Sequence, residues 1–478
     1  MYSFIICLAA LIAGYFIYGK IIERIFGPDD RLTPAVVHED GVDFIRMPRW
    51  KIFMIQFLNI AGTGPIFGAI MGAKFGTASF LWIVLGCIFA GAVHDYLSAM
   101  MSLRHNGESL PELVGRYLGM TTKQVMRVFT IVLLILVGAV FVDSPAELLD
   151  QLTGGSVGLY TWMVIIFLYY LLAAVLPINK VIGKIYPLFS FVLLFMAVGL
   201  LVMFFVKCPT DLPELWDGLA NKHPKAATTP IFPILFVTIA CGAISGFHAT
   251  QSPMMCRCMS SERQGRSIFY GSMITEGIVA LIWAATATFF FHHSPGGISE
   301  NSASKIVFAV TEDWLGTVGS ILAVLGVVAA PITTGDTALR SARLIVADML
   351  HVDQSGLFKR LGVSVVIFIV TFAVLCYSLT DVEGFSVLWR YFAWANQALS
   401  VFTLWAITAY LVRHGKCYWV TFIPALFMTA VCSTYLCIAP ECLNLSPVLS
   451  YSIGGAAVAI SIIRFAWWMS HRPAALNG

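Results

Sequence analysis

Long apolar runs alternate with short polar stretches along the whole chain of 478 residues. An α-helix needs about 20 mostly apolar residues to cross the hydrocarbon core of a bilayer. By that measure the pattern predicts thirteen membrane-spanning segments, near 2–18, 51–73, 79–102, 126–143, 159–177, 185–206, 231–248, 268–291, 316–334, 361–379, 385–412, 418–438 and 447–468. The sequence therefore predicts an all-α polytopic membrane protein that forms one integral unit.

Composition supports this class, because 59% of the residues are hydrophobic and 12% are charged. A soluble globular domain is about one quarter charged. The eleven cysteines lie mostly within apolar runs and show no repeated metal-type spacing. We therefore expect no metal site, no cofactor and no nucleic-acid partner.

The distribution of lysine and arginine predicts the orientation, since cytoplasmic loops carry the excess of these residues. With the N-terminus outside, the loops on the inner side hold 23 of the 29 basic residues, and the outer loops hold five. Miscounting one segment would move every later loop to the other side. The pattern thus predicts an external N-terminus and a cytoplasmic C-terminus.

Two of the predicted segments contain helix breakers near their centres. Segment 2 carries GTGP at residues 62–65, and segment 7 carries Gly242 and Gly246. The two segments are five apart and oppositely oriented, as in an inverted repeat, and paired interrupted helices mark the midplane site of a transporter. The alternative is that these glycines serve close helix packing.

Ionisable residues within spans are costly and are candidates for function. His94 and Asp95 lie in segment 3 and Glu276 lies in segment 8. We interpret these three residues as a possible proton relay. An interhelical hydrogen bond for the first two, and proximity to the inner interface for Glu276, are equally good interpretations.

Segment 9 ends in PITTGDTALRSAR, where hydroxyls and a carboxylate cluster. Such hard oxygen ligands suit sodium or a transported proton. The predicted coupling-ion residues are Thr333, Thr334, Asp336 and Thr337. The alternative for Asp336 is an ion pair with Arg340, four residues further on.

Four stretches resemble the signature segments of the carbon starvation protein A (CstA) family, also called the peptide transporter carbon starvation family. They are NIAGTGPIFGAIMGAKFG, GAVHDYLSAMMSLRHNGESLPELV, FPILFVTIACGAISGFHATQSP and PITTGDTALRSARLIVAD. The resemblance covers roughly segments 2 to 11. It implies a multi-pass protein of the cell inner membrane that takes up nutrients under carbon limitation.

The family is grouped with the amino acid–polyamine–organocation transporters, so the resemblance also implies a LeuT-like 5+5 inverted repeat. The expected units are 1–50 (first helix and cytoplasmic loop), 51–206 (repeat 1), 207–412 (repeat 2) and 413–478 (two additional helices). The expected substrate-binding residues are Asn59, Gly62, Thr63, Gly64, Pro65, Gly242, Ser245, Gly246 and His248.

The resulting hypothesis is a secondary active transporter that imports pyruvate or short peptides by alternating access, coupled to H⁺ or Na⁺. An amino-acid transporter of the same fold and a transporter-like nutrient sensor are the alternatives. An enzyme is not expected, because no H-E-x-x-H and no nucleophile motif is present. The expected partners are a small-molecule or peptide substrate and membrane lipid, and an oligomer is possible.

Overall fold

The computed structural model contains helices and no strand among the residues that it describes. Those residues are 1–39, 44–175, 178–207, 212–293, 303–352, 356–379 and 384–471. Within them, ten helices are long and apolar enough to cross a membrane, or eleven if one bent pair counts as a span. The predicted all-α polytopic class is confirmed, and the count of thirteen spans stays a prediction.

Up to residue 207, the described residues form eleven α-helices. They are α1 (Tyr2–Phe16), α2 (Tyr18–Phe26), α3 (Pro34–Val37), α4 (Arg49–Ile60), α5 (Ala69–Ala73), α6 (Ala78–Gly86), α7 (Ala92–Arg104), α8 (Leu110–Leu118), α9 (Met120–Leu152), α10 (Leu159–Val175) and α11 (Ile178–Lys207). A π-helical turn, Cys87–Gly91, joins α6 to α7.

From residue 212 onward, the described residues form eight more α-helices. They are α12 (Phe236–Thr238), α13 (His248–Cys256), α14 (Gly271–His293), α15 (Ala303–Leu350), α16 (Leu357–Ser378), α17 (Gly384–Arg413), α18 (Trp419–Ile438) and α19 (Pro447–His471). Helix α15 is kinked at Gly316, whose φ is +65°.

Helices α9 and α15 pack along one another, with α10, α11 and α16 beside them, and α19 packs on α18 at the outside of the bundle. Several helices are longer than the predicted segments, because hydropathy marks only the part that suits lipid. Helix α9 extends past the predicted segment 126–143 at both ends. The seventh segment, predicted to end at 248, is instead helical again from His248 to Cys256.

The first interrupted segment bends between α4 and α5. Helix α4 ends at Ile60, and the chain resumes in a π-helical turn, Gly64–Gly68, that leads into α5. The two parts are bent by 55°. Pro65 has no backbone N–H to lose and fits the first turn of the second part.

The second interrupted segment has a longer non-helical stretch, residues 239–247, between α12 and α13. Gly242 lies in this stretch with a φ of +91°, a conformation that side chains disfavour. All of these residues are buried. Unwound backbone is tolerated at membrane depth only where protein or a polar cavity surrounds it.

The two interruptions lie against each other. A Cβ atom on Gly64 would lie 2.4 Å from the Cβ and Sγ atoms of Cys241. A Cβ atom on Gly242 would lie 3.7 Å from the Cα atom of Pro65. Glycine at 64 therefore permits the close approach, and small-residue packing and chain interruption occur together at this point.

An ion-pair network lies at one end of the bundle, where the loop before α4 meets the end of α7. The buried carboxylate of Glu262 accepts hydrogen bonds from Arg104 Nε (3.0 Å) and Nη2 (2.9 Å), and from the backbone N–H of Asp29 (3.0 Å). A side-chain hydrogen bond from Arg31 holds the pKa of Asp29 below its ordinary value. Asp29, near the start of this loop, is thus held to the end of α7 and to the segment before α14.

Candidate functional site

Asn396 of α17 holds the second interruption in place. Its Oδ1 atom accepts hydrogen bonds from Ser245 Oγ (3.0 Å) and from the backbone N–H of Phe247 (2.7 Å). Its carbonyl accepts one from the backbone N–H of Gly246 (3.2 Å). These bonds satisfy backbone and hydroxyl groups that unwinding would otherwise leave unpaired.

His248, the first residue of α13, lies beside Asp95 of α7. The Nδ1 atom of His248 is 2.7 Å from Asp95 Oδ2, and the Nδ1 atom of the adjacent His94 is 2.8 Å from Asp95 Oδ1. All three side chains are fully buried. A buried carboxylate is stabilised only by such partners, so Asp95 fixes the orientation of the His248 ring.

Glu276 of α14 approaches the other nitrogen of the same ring. Its Oε2 atom lies 3.6 Å from His248 Nε2, and in the described part of the chain neither Glu276 oxygen has a hydrogen-bond partner. Cys241 adds a thiol, and one donor atom from each of Cys241, His248 and Glu276 lies within 4.8 Å of the others. Thiol, imidazole and carboxylate suit a zinc-like cation as well as a proton.

Buried polar groups also line the first interruption. The side-chain N and O atoms of Gln56 and Asn59, and the hydroxyl of Thr63, have no hydrogen-bond partner among the described residues. The Oε1 atom of Gln251, on α13, also has none. An unpaired buried polar group costs about 1–3 kcal/mol, so such groups indicate a place where ligand or water binds.

Thr334 of α15 contacts the backbone of the first interruption. Its hydroxyl lies 2.9 Å from the carbonyl of Ala330 in its own helix, and also 3.3 Å from the carbonyl of Leu58 and 3.2 Å from the carbonyl of Asn59. The hydroxyls of Thr333 and Thr337 bond to carbonyls of their own helix. Of the three predicted threonines, Thr334 is the one whose hydroxyl bonds to the interrupted segment.

Asp336 faces α11. Its Oδ2 atom accepts a hydrogen bond of 2.7 Å from the hydroxyl of Tyr186, which is also 3.2 Å from the carbonyl of Thr333. The other oxygen of Asp336 has no hydrogen-bond partner in the described chain. Tyr170 lies nearby, with its hydroxyl 3.2 Å from the carbonyl of Pro331.

The structure therefore divides the predicted residues into two buried groups. Asp95, His248 and Glu276 meet at the second interruption, while Thr334 meets the first. The roles assigned to the residues stay predictions. Sequence reasoning missed Gln56, Cys241, Tyr186 and Asn396, although Gln56 lies three residues before Asn59 on the same helix, and Asn396 is a polar residue within a predicted span.

Solved transporters share this fold at low sequence identity. The manganese transporter of Eremococcus coleocola matches 90% of this chain and 98% of its own, with a TM-score of 0.57 and 13% identity. MhsT in complex with L-phenylalanine matches 87% of this chain and 98% of its own, with a TM-score of 0.57 and 12% identity. The nucleobase-cation-symport-1 family transporter Mhp1 matches 88% and 92%, with a TM-score of 0.53 and 14% identity.

The long apolar helices, the two interruptions and this shared fold define a multi-pass helical membrane protein with the fold of the solved transporters. The model of the carbon starvation protein CstA family matches residues 1–161, 156–317 and 301–435. The chain belongs to this family, as its motifs indicated.

Related proteins include several that carry the name of this family. A protein of Haemophilus influenzae described as an uncharacterized membrane protein is 45% identical over 341 residues, which cover 61% of this chain and 92% of that protein. The peptide transporter CstA of Escherichia coli is 24% identical over 87% of this chain and 77% of its own. The peptide transporter CstA of Mycobacterium tuberculosis (strain H37Rv) is 25% identical over 88% of this chain and 73% of its own.

Proposed function

We propose that this protein is a secondary active transporter that imports a small carboxylate such as pyruvate, or short peptides, by cation-coupled alternating access. The observation that carries the proposal is the contact between the two interruptions, Gly64 against Cys241, together with the unpaired polar side chains buried on the chain that leads into the first of them. Paired interrupted helices of this kind form substrate sites in transporters.

The unpaired amides favour a substrate with carboxylate or peptide groups. Gln56 and Asn59 each offer an NH₂ donor and a carbonyl acceptor. A carboxylate accepts from the donors, and a peptide group pairs with both. The relatives named peptide transporters agree with the second substrate class.

Protons are the coupling ion that we propose first. His248 lies between the carboxylates of Asp95 and Glu276, so one proton can be held at either ring nitrogen or on Glu276. Protonation of this cluster changes the net charge of a buried site. Proton binding drives transport if the inward-open and outward-open conformations of the protein bind that proton with different affinity.

Sodium is the alternative coupling ion, and Thr334 is the residue that favours it. Its hydroxyl and the carbonyls of Leu58 and Asn59 converge within hydrogen-bond distance. A sodium ion takes such oxygen ligands, and it would link α15 to the first interrupted segment. The carboxylate of Asp336, two residues after Thr334 on α15, would add negative charge to the helix that holds the ion.

We further propose the architecture and location that the sequence predicted. Segments 2–6 and 7–11 form two inverted repeats, the protein lies in the cell inner membrane, and its C-terminus is cytoplasmic. The equivalence of the two interruptions supports the repeats, and the basic loops support the orientation.

Reconstituted vesicles test the function directly. Proteoliposomes are given labelled pyruvate, a labelled dipeptide or a labelled amino acid, with a proton gradient and a sodium gradient imposed separately. Accumulation of pyruvate or dipeptide above equilibrium, driven by one gradient, supports the proposal. Accumulation of the amino acid alone would favour the amino-acid transporter, and binding without uptake would favour a sensor.

A further inference from the structure

A surface groove of about 540 Å³ lies between the α8–α9 connection, α17 and α19. Aromatic side chains form much of its wall, with Trp405 of α17 packed on Phe465 of α19 at a ring distance of 5.7 Å. Trp467 is 61% exposed, so the groove opens to the outside of the bundle. In a membrane protein this side of α19 faces lipid.

Two arginines lie in the wall of the same groove. The guanidinium carbon of Arg413 is 5.2 Å from the ring centre of Tyr117 and 6.0 Å from that of Trp468. Arg464 lies on α19 with its side chain exposed. Arg413 Nη1 donates a hydrogen bond of 3.2 Å to the carbonyl of Arg116, and in the described ranges neither arginine forms an ion pair with a carboxylate. The groove therefore combines an apolar wall with two positive charges that lack a counter-charge.

The arginines are placed where a lipid headgroup would lie. Arg413 is the last residue of α17, and Arg464 lies within the last turns of α19. The positive-inside pattern assigns this end of both helices to the cytoplasm. Long arginine side chains near helix ends extend to the headgroup region.

We propose that this groove binds an anionic phospholipid of the cytoplasmic leaflet. Its phosphate pairs with the guanidinium groups of Arg413 and Arg464, and an acyl chain lies along the aromatic wall toward Val401. Val401 and Arg413 are twelve residue steps apart on α17, about 18 Å of helix, which is enough for most of an extended acyl chain. Basic pockets between membrane helices bind anionic headgroups in this way.

A second copy of the protein fits this groove less well. The neighbouring loops on the same side are themselves basic, so a copy in the same orientation brings further positive charge to the two arginines. An anionic lipid supplies the missing negative charge and the apolar surface together.

The test compares two lipids on the purified full-length protein. Dioleoylphosphatidylglycerol or dioleoylphosphatidylcholine is titrated into delipidated protein in detergent, and bound lipid is measured by native mass spectrometry. We expect preferential binding of phosphatidylglycerol. The double variant Arg413→Ala/Arg464→Ala should bind it about tenfold less tightly, because two basic contacts to the headgroup are lost.

Two further variants separate a specific effect of the groove from a general effect of removing a side chain. Arg24→Ala removes an exposed arginine of α2 outside the groove and should leave binding unchanged. Trp467→Ala shortens the exposed aromatic wall and should weaken binding while both charges remain. Equal binding of the two lipids, an equal loss in Arg24→Ala, or a lipid-independent dimer that the double variant disrupts would overturn the proposal. No substrate is used, so the outcome does not depend on the proposed transport function.

Discussion

The Nδ1 atom of His248 lies 2.7 Å from the Oδ2 atom of Asp95, and both side chains are fully buried. The contact joins α7 to the start of α13, where the second interrupted segment becomes helical again. Any change in the charge of this pair therefore acts directly on the second interrupted segment. Glu276, on the far side of the ring, is the group best placed to exchange the proton.

Glu276→Gln should uncouple transport from the proton gradient. The amide keeps the shape of the carboxylate but does not take up a proton at neutral pH. We expect proton-driven accumulation of substrate to fall about tenfold or more, while exchange of labelled for unlabelled substrate continues. Uptake and exchange in the same proteoliposomes check this expectation.

Glu147→Gln is the control for Glu276→Gln, since it removes a half-buried carboxylate of α9 that lies outside the cluster. Accumulation should be unchanged in this control. If Glu276→Gln also accumulates substrate at the wild-type level, Glu276 has no part in coupling.

Thr334→Val should reveal whether sodium binds at the first interruption. Valine keeps the size of threonine but removes the hydroxyl that lies 3.2 Å from the carbonyl of Asn59. If sodium is the coupling ion, the sodium concentration for half-maximal uptake should rise about tenfold. Thr371→Val is the matched control, because among the described residues that buried hydroxyl bonds to the carbonyl of Ile367 in its own helix and to no other group. A sodium response equal in both variants would place the cation elsewhere.

Asp336→Asn and Tyr186→Phe should have the same effect. The two side chains share a hydrogen bond of 2.7 Å, and both are buried. We expect each variant to lower gradient-driven accumulation about tenfold while the protein still folds, and the double variant to show the same tenfold loss. Additive losses would show that the two groups act separately.

The apolar pattern was sufficient to predict the helical membrane class, and glycine and proline located both interruptions. Sequence could not show that Asp95, His248 and Glu276 meet, because they come from three different segments and only tertiary packing brings them together. Asn396 illustrates a second limit. An amide in a span is equally compatible with a substrate contact, and its hydrogen bonds to the second interruption appear only in three dimensions.

Gly246→Ala should prevent correct assembly of the second interruption. A Cβ atom there would lie 2.3 Å from the backbone nitrogen of Ser400 and 2.5 Å from the carbonyl oxygen of Asn396. Backbone atoms of α17 cannot move aside as a flexible side chain would. We therefore expect the variant to lose about 1–3 kcal/mol or more of folding stability. Gly455→Ala is the control, because beyond its own stretch of helix no atom of the described residues lies within 4 Å of its added Cβ.

Size-exclusion profiles and thermal unfolding in detergent compare the two glycine variants. The control should match the wild-type protein, and Gly246→Ala should aggregate or unfold at a lower temperature. A monodisperse Gly246→Ala with wild-type thermal stability would mean that α17 does not pack against the interruption as described.

The orientation can be tested with cysteine labelling on the two sides of the membrane. Cys417 is exposed in the connection between α17 and α18, which the basic loops assign to the cytoplasm. Ser446 is exposed in the connection between α18 and α19, on the opposite side. We expect a membrane-impermeant maleimide to label Ser446→Cys in intact cells and Cys417 only in inside-out vesicles, with the other reactive cysteines replaced by serine. Labelling of Cys417 in intact cells would reverse the orientation, and it would also place Arg413 and Arg464 in the outer leaflet.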